Sequence, residues 1–138
     1  MNREIELISQ TAKQLSETIR SLNNNIIDLY ENMDRSSLTI DERSELILVY
    51  QALNELSEGV ESLKVLGKPV REEGLLKKNS NGRYTLGEHE LTSGRPIEVF
   101  DEEGNVFYQS RMEHSGDDYY IYSLGKGVPI ENIRCRIR

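Results

Sequence analysis

Residues 5–33 read IELISQTAKQLSETIRSLNNNIIDLYENM, and their apolar side chains fall at Ile5, Ile8, Ala12, Leu15, Ile19, Leu22, Ile26, Leu29 and Met33. The steps alternate between three and four without a break, which lines one edge of an α-helix with side chains able to pack on a second helix. A strand, with its period of two, cannot generate this pattern. Asn2 is suited to cap the helix, and Glu4 and Glu6 sit where the positive end of the helix dipole favours carboxylates. Asn23-Asn24-Asn25 is weak in helix propensity, yet the stripe continues through it from Leu22 to Ile26. One helix over about residues 2–33 is therefore expected, with any bend placed at the asparagines.

The pattern stops at Asp34-Arg35-Ser36-Ser37-Leu38 and restarts after Thr39-Ile40-Asp41-Glu42. That tetrapeptide reads as a capping box, in which Thr39 and Glu42 satisfy each other's backbone amides. A second stripe, Leu46, Val49, Leu53, Leu56, Val60 and Leu63, predicts a helix over about 40–66, stopped by Gly67 and Pro69. So short a connection makes the helices antiparallel neighbours. Residues 1–67 are thus expected to form a coiled-coil-like helical hairpin with both stripes as its core.

Two helices that bury one seam each are rarely stable alone. Apolar residues outside the stripes, Ile27, Tyr30, Ile47 and Tyr50, gather with Leu38 at the loop end of such a hairpin. These five form a candidate self-association patch, through which hairpins would join into a four-helix arrangement. The other reading is that the second half of the chain folds back over the same surface. Small Ala52 and Gly59 on the second helix would admit a close neighbour.

Beyond Pro69 the segments shorten, and glycine, asparagine and aspartate recur every few residues, as in an antiparallel β-domain over about 72–138. Asn81-Gly82 signals a hairpin between Leu75–Lys78 and Arg83–Leu86. Ile97–Phe100 and the longer Val106–His114 are joined by Asp101-Glu102-Glu103-Gly104, with Gly104 suited to the left-handed position. Asp118–Leu124 pairs with Val106–His114, and a last strand sets Ile133, Cys135 and Ile137 against Arg134, Arg136 and Arg138 on the opposite face. With no helical pattern between strands, parallel βαβ packing is excluded. The fold class is α+β, a helical hairpin followed by a small SH3-like barrel or curled sheet.

Three sequence runs carry a resemblance: Gly82-Arg83-Tyr84, then Leu91–Val99 (LTSGRPIEV), then Arg111-Met112-Glu113-His114 ahead of Tyr119-Tyr120-Ile121. Together they resemble a small domain family of unknown function found in Gram-positive bacteria and their mobile elements. The resemblance covers about residues 72–138 and leaves the helical half outside it. It implies a β-barrel fold and no particular activity.

Charge and composition narrow the function. The chain carries 17 Lys+Arg against 24 Asp+Glu, a formal net charge of −7, which argues against wholesale phosphate binding. The single cysteine, Cys135, fits a reducing compartment. With no apolar leader at the N-terminus and no membrane-length apolar run, the expected location is cytoplasmic, with no membrane partner. His89 and His114 stand on different elements, and no metal-ligand spacing is present. Asp101-Glu102-Glu103 and Asp117-Asp118 fall at turns without an apolar pocket to tune a carboxyl. Gly125-Lys126-Gly127 lacks the rest of a nucleotide loop. No catalytic residue, metal or cofactor is expected, and the chain reads as a non-enzymatic interaction protein.

Two kinds of partner suit the β half. The favoured reading is an unknown protein partner docking on it while the hairpin forms a homo-oligomer. The alternative is nucleic acid, bound by exposed tyrosines among Tyr119, Tyr120 and Tyr122 and by the row Arg134, Arg136 and Arg138. A nucleic-acid mimic built on the acidic helices draws little support, because the acidic residues are scattered.

Overall fold

The computed structural model describes residues 2–138 and divides into two compact units, one ending at Gly67 and one spanning Lys68–Arg138. In the first, α1 runs Arg3–Glu31 and α2 runs Ile40–Leu63. Asn2 caps α1, its carboxamide oxygen accepting from the Glu4 amide at 2.7 Å. The capping box at α2 is formed in full, with Thr39 accepting from the Glu42 amide and the Glu42 carboxylate accepting from the Thr39 amide. Both helices stop a little short of the expected ends, at Glu31 and Leu63, and α1 continues unbroken through Asn23-Asn24-Asn25.

The helices are antiparallel neighbours. Asn23 bonds Ser57 at 2.7 Å, and the Tyr30 and Tyr50 rings meet at 6.3 Å. At the far end Lys13 Nζ approaches Gly67 to 2.6 Å of where a Cβ would stand. The numbers in each of these pairs have the same sum, which defines one register along the whole contact.

The seam departs from the expected one. In α1 the half-buried or buried positions are Ser9, Ala12, Ser16, Ile19, Asn23 and Tyr30, whereas Leu15, Leu22 and Leu29 are 56%, 55% and 68% exposed. The helix is therefore rotated so that one column of the stripe, Ala12 and Ile19, faces α2 together with the small polar column Ser9, Ser16 and Asn23. The other column is left out. Among the described residues of this unit, Val60 is the one buried hydrophobic side chain, so the stripes are not the core expected of them.

The second unit holds β1 (Glu72–Leu75), β2 (Lys77–Lys78), β3 (Tyr84–Leu86), β4 (His89–Leu91), β5 (Pro96–Asp101), β6 (Val106–His114), β7 (Tyr119–Ile121) and β8 (Arg134–Ile137). All pairings are antiparallel, in a five-stranded sheet ordered β1-β8-β5-β6-β7 and a three-stranded sheet ordered β2-β3-β4. Leu76, between β1 and β2, is fully buried in a core shared by both sheets, with Leu86 and Leu91 from the smaller and Ile97, Met112 and Cys135 from the larger. Alternation in β8 is as expected, Cys135 and Ile137 buried and Arg134 exposed.

Two turns differ from the sequence reading. The left-handed residue in the β5–β6 turn is Asn105, at φ 50°, and not Gly104. Asp101 closes that turn by accepting from the amides of Glu103 and Gly104, which places the reversal one residue later. The chain also turns at Gly87-Glu88, where Leu86 pairs with His89 and Gly87 takes φ 57°. A glycine opening a two-residue hairpin loop meets that backbone requirement without strain.

Candidate functional site

The loop-end residues singled out in the sequence do come together. The Tyr30 and Tyr50 rings meet at a tilt of 35°, Arg35 lies over the Tyr30 ring at 4.7 Å, and Leu38 and Ile47 border the same hollow of about 370 Å³. Ile47 and Tyr50 are exposed, while Tyr30 and Leu38 are half-buried. A second groove, of about 400 Å³, is lined by Ile26, Ile27, Leu29, Tyr30 and Met33 of the first helix region and by Leu46, Val49, Tyr50 and Leu53 of α2, with Glu31 the one charged residue in its wall. Its lining is almost wholly apolar, and its cause is the rotation of α1: the Leu29 column and the Val49 column stand open beside each other.

The tyrosine and arginine surfaces do not form one site. β8, which carries the arginines, is separated from β7 by β5 and β6, a distance of roughly 14 Å at ~4.8 Å per strand. Arg134 pairs with Glu73, and Arg136 and Arg138 both pair with Glu98. Arg134 also lies 4.4 Å from the Phe100 ring centroid and Arg136 lies 4.1 Å from that of Phe107, the two rings being 5.0 Å apart. Phe100 and Glu98 reach this row because β5 pairs with β8 in the register Glu98↔Arg136. The arginines are thus engaged across the sheet by carboxylates and aromatic faces, arrangements worth most when partly desolvated.

Around β7 the partners are different. Tyr119 packs on the core and meets the His114 ring edge-on at 4.6 Å, Tyr120 is half-buried, and Tyr122 is exposed with the Arg111 guanidinium 3.8 Å from its ring centroid. Sequence reasoning missed Arg111, Phe100 and Glu98 as members of these clusters, since cross-strand partners depend on a register that no local pattern declares. Another basic cleft, of about 510 Å³, is lined by Lys68, Arg71, Arg95 and Arg138 with Pro69 and Pro96.

Cys135 is fully buried, and burial pushes its thiol up to about 12. A thiol so held carries almost no thiolate at neutral pH, which suits packing and not nucleophilic chemistry. Among the described residues no three His, Cys, Asp or Glu side chains converge as a metal site would need, and no helix is long and apolar enough to cross a membrane.

Fold and surfaces together define a two-part α+β protein, a helical pair with an open apolar face followed in sequence by a small antiparallel β-domain. Residues 73–137 match the family model described as Domain of unknown function (DUF5348), so the β half is a DUF5348 domain. The helical half lies outside that match. No curated protein and no solved structure matches the chain.

Proposed function

We propose that this chain is a non-enzymatic interaction protein whose helical hairpin holds copies of itself together while its β-domain docks a protein partner. The carrying observation is the exposure of the hairpin's own stripe: Leu15, Leu22, Leu29 and Leu56 stand in water although each is a residue type that folding normally hides. Leaving such a side chain exposed forgoes about 1.5–3 kcal/mol each, and contiguous apolar surface of this kind marks an interaction site. A location in the cytoplasm fits the free, buried Cys135. We further read the two sheets, joined through Leu76 and one core, as the wall of a partly open barrel of SH3-like kind, with its outer face available to the partner.

Sedimentation of the full chain over a wide concentration range tests the first half of this reading. Reversible mass action toward a dimer or higher species is the expected result, and a single-chain mass throughout would refute it. The alternative, nucleic acid on the β-domain, draws less support because the arginine row is matched by Glu73 and Glu98. Titration with labelled oligonucleotides at two salt concentrations separates the two, since phosphate contacts strengthen steeply as salt falls. Absence of binding at low salt retires the alternative.

A further inference from the structure

Ile8, Leu15, Leu22 and Leu29 recur every seventh residue and form one exposed column along α1. On the side away from α2, the next column holds Glu4, Thr11, Thr18 and Asn25 and the one beyond it Leu7, Gln14, Ser21 and Asp28, so the charges there, Glu4 and Asp28, stand near the helix ends. The remaining charges between residues 5 and 31 (Glu6, Lys13, Glu17, Arg20 and Glu31) fall on other columns, turned away from it. Depletion of charge over a wide strip is what the centre of a protein interface shows, and a solvated helix face does not.

The ends of the hairpin are unequal. In the register set by Asn23–Ser57 and Lys13–Gly67, the first turns of α1 reach beyond the last residue of α2 and carry Ile5, Leu7 and Ile8 at 55%, 63% and 67% exposure. At the opposite end lies the open groove lined by Ile26, Leu29, Met33, Val49 and Leu53. One hairpin therefore offers an apolar overhang at one end and an apolar hollow at the other.

We infer that a second copy of this chain covers this face, its α1 running antiparallel to the first along the Ile8–Leu29 column. The inference rests on the self-association proposed above and specifies which face and direction it uses. A two-fold contact requires that residue i of one copy meet j of the other, and j meet i. The column satisfies this on reversal, because Ile8 comes opposite Leu29 and Leu15 opposite Leu22. The same reversal lays each overhang into the other copy's groove, so both unmatched ends are covered at once. A helix of 29 residues offers a strip about 43 Å by 10 Å, or ~430 Å² per copy, to which the groove wall on α2 adds toward the ~800 Å² per partner of a standard interface. With charge almost absent from the strip, the net charge of −7 raises little local repulsion against a like chain.

The full chain provides the test. Leu22→Glu is expected to weaken the dimer by ~30-fold or more, while circular dichroism keeps its helical signal because Leu22 is exposed within the single chain. Ile47→Glu, on the loop-end patch, is expected to leave the dimer intact. Direction is read by disulfide cross-linking: mixed Leu15→Cys and Leu22→Cys chains should link to each other, and neither should link to itself. Self-linking would require bridging an offset of ~10 Å along the axis, beyond a disulfide's reach. Buried Cys135 does not compete in this assay. If the wild type is monomeric, the self-association reading falls and this pairing with it. If a dimer survives Leu22→Glu, the face assigned here is wrong while the reading stands. Self-linking of either cysteine variant, or no mixed product, overturns the antiparallel direction.

Discussion

The Asn23 side-chain amide donates to Ser57 Oγ at 2.7 Å across the helix pair, while the carboxamide oxygen of the same residue is buried with no protein partner. A half-satisfied buried carboxamide costs free energy and fixes register, because any slip removes its one bond as well. The two positions before it on its column, Ser16 and Ser9, are also polar, so this part of the seam is tuned for alignment more than for adhesion.

Replacing that carboxamide gives the first prediction. Asn23→Leu removes the orphaned oxygen and adds apolar area at the seam, and should stabilise the helical unit by about 1 kcal/mol. Urea titration followed by helical circular dichroism, at one fixed protein concentration, reads the change. A loss of stability would show that the Asn23–Ser57 bond outweighs the unpaired oxygen.

A second prediction separates the inner from the outer column. Val60, one turn beyond Ser57 on α2, is buried, so Val60→Ala should cost about 2 kcal/mol through two lost methyl groups and the space left behind. Leu15→Ala removes a larger side chain from an exposed site and should change the stability of the single chain by less than ~0.5 kcal/mol. Denaturant unfolding at concentrations low enough to dissociate any dimer makes the comparison. Equal losses for the two would mean that Leu15 is packed within its own hairpin.

These contrasts show what the linear pattern could convey. Heptad spacing is local, so the existence, direction and caps of both helices were readable from Ile5 to Met33 and from Thr39 to Leu63, and the alternation in Arg134–Ile137 gave the two faces of β8. The rotation of α1 was not readable, because Leu15 looks like a better core residue than Ser16. The choice between them depends on which column α2 approaches. The same limit hid the Glu98 clasp on Arg136 and Arg138, which arises from the β5–β8 register. The Gly87-Glu88 hairpin did leave a local sign, a glycine opening a two-residue turn, but Asn81-Gly82 nearby is a stronger turn signal and drew the assignment.

Cys135 supports a third prediction. With the thiol fully buried and pushed up to about 12 by desolvation, an alkylating reagent at neutral pH should label it only as fast as the β-domain opens. Labelling should therefore accelerate with urea in step with unfolding and be negligible in buffer. Rapid modification of the native chain would mean that the strand pairing around β8 opens locally.

The last prediction concerns acid. Hydrogen bonding to Lys78, reinforced by the Tyr119 amide, holds the Asp118 carboxyl below its ordinary value. Arg83 does the same for Glu90, and Arg111 for Glu113. Because the folded values are depressed, the unfolded chain takes up protons first as pH falls. The stabilisation is complete above the ordinary carboxylate range and drains away as pH drops through the folded values. Each pair is exposed and so contributes modestly, and salt should shrink the effect. Lys78 is raised by the same contact, and its share should persist until strongly alkaline pH. Urea midpoints of the wild type should therefore decline on going from pH 6 toward pH 3, and Asp118→Asn should start lower at pH 6 and decline less steeply. Parallel acid limbs for the two proteins would show that the Lys78–Asp118 pair does not contribute to the pH dependence of folding.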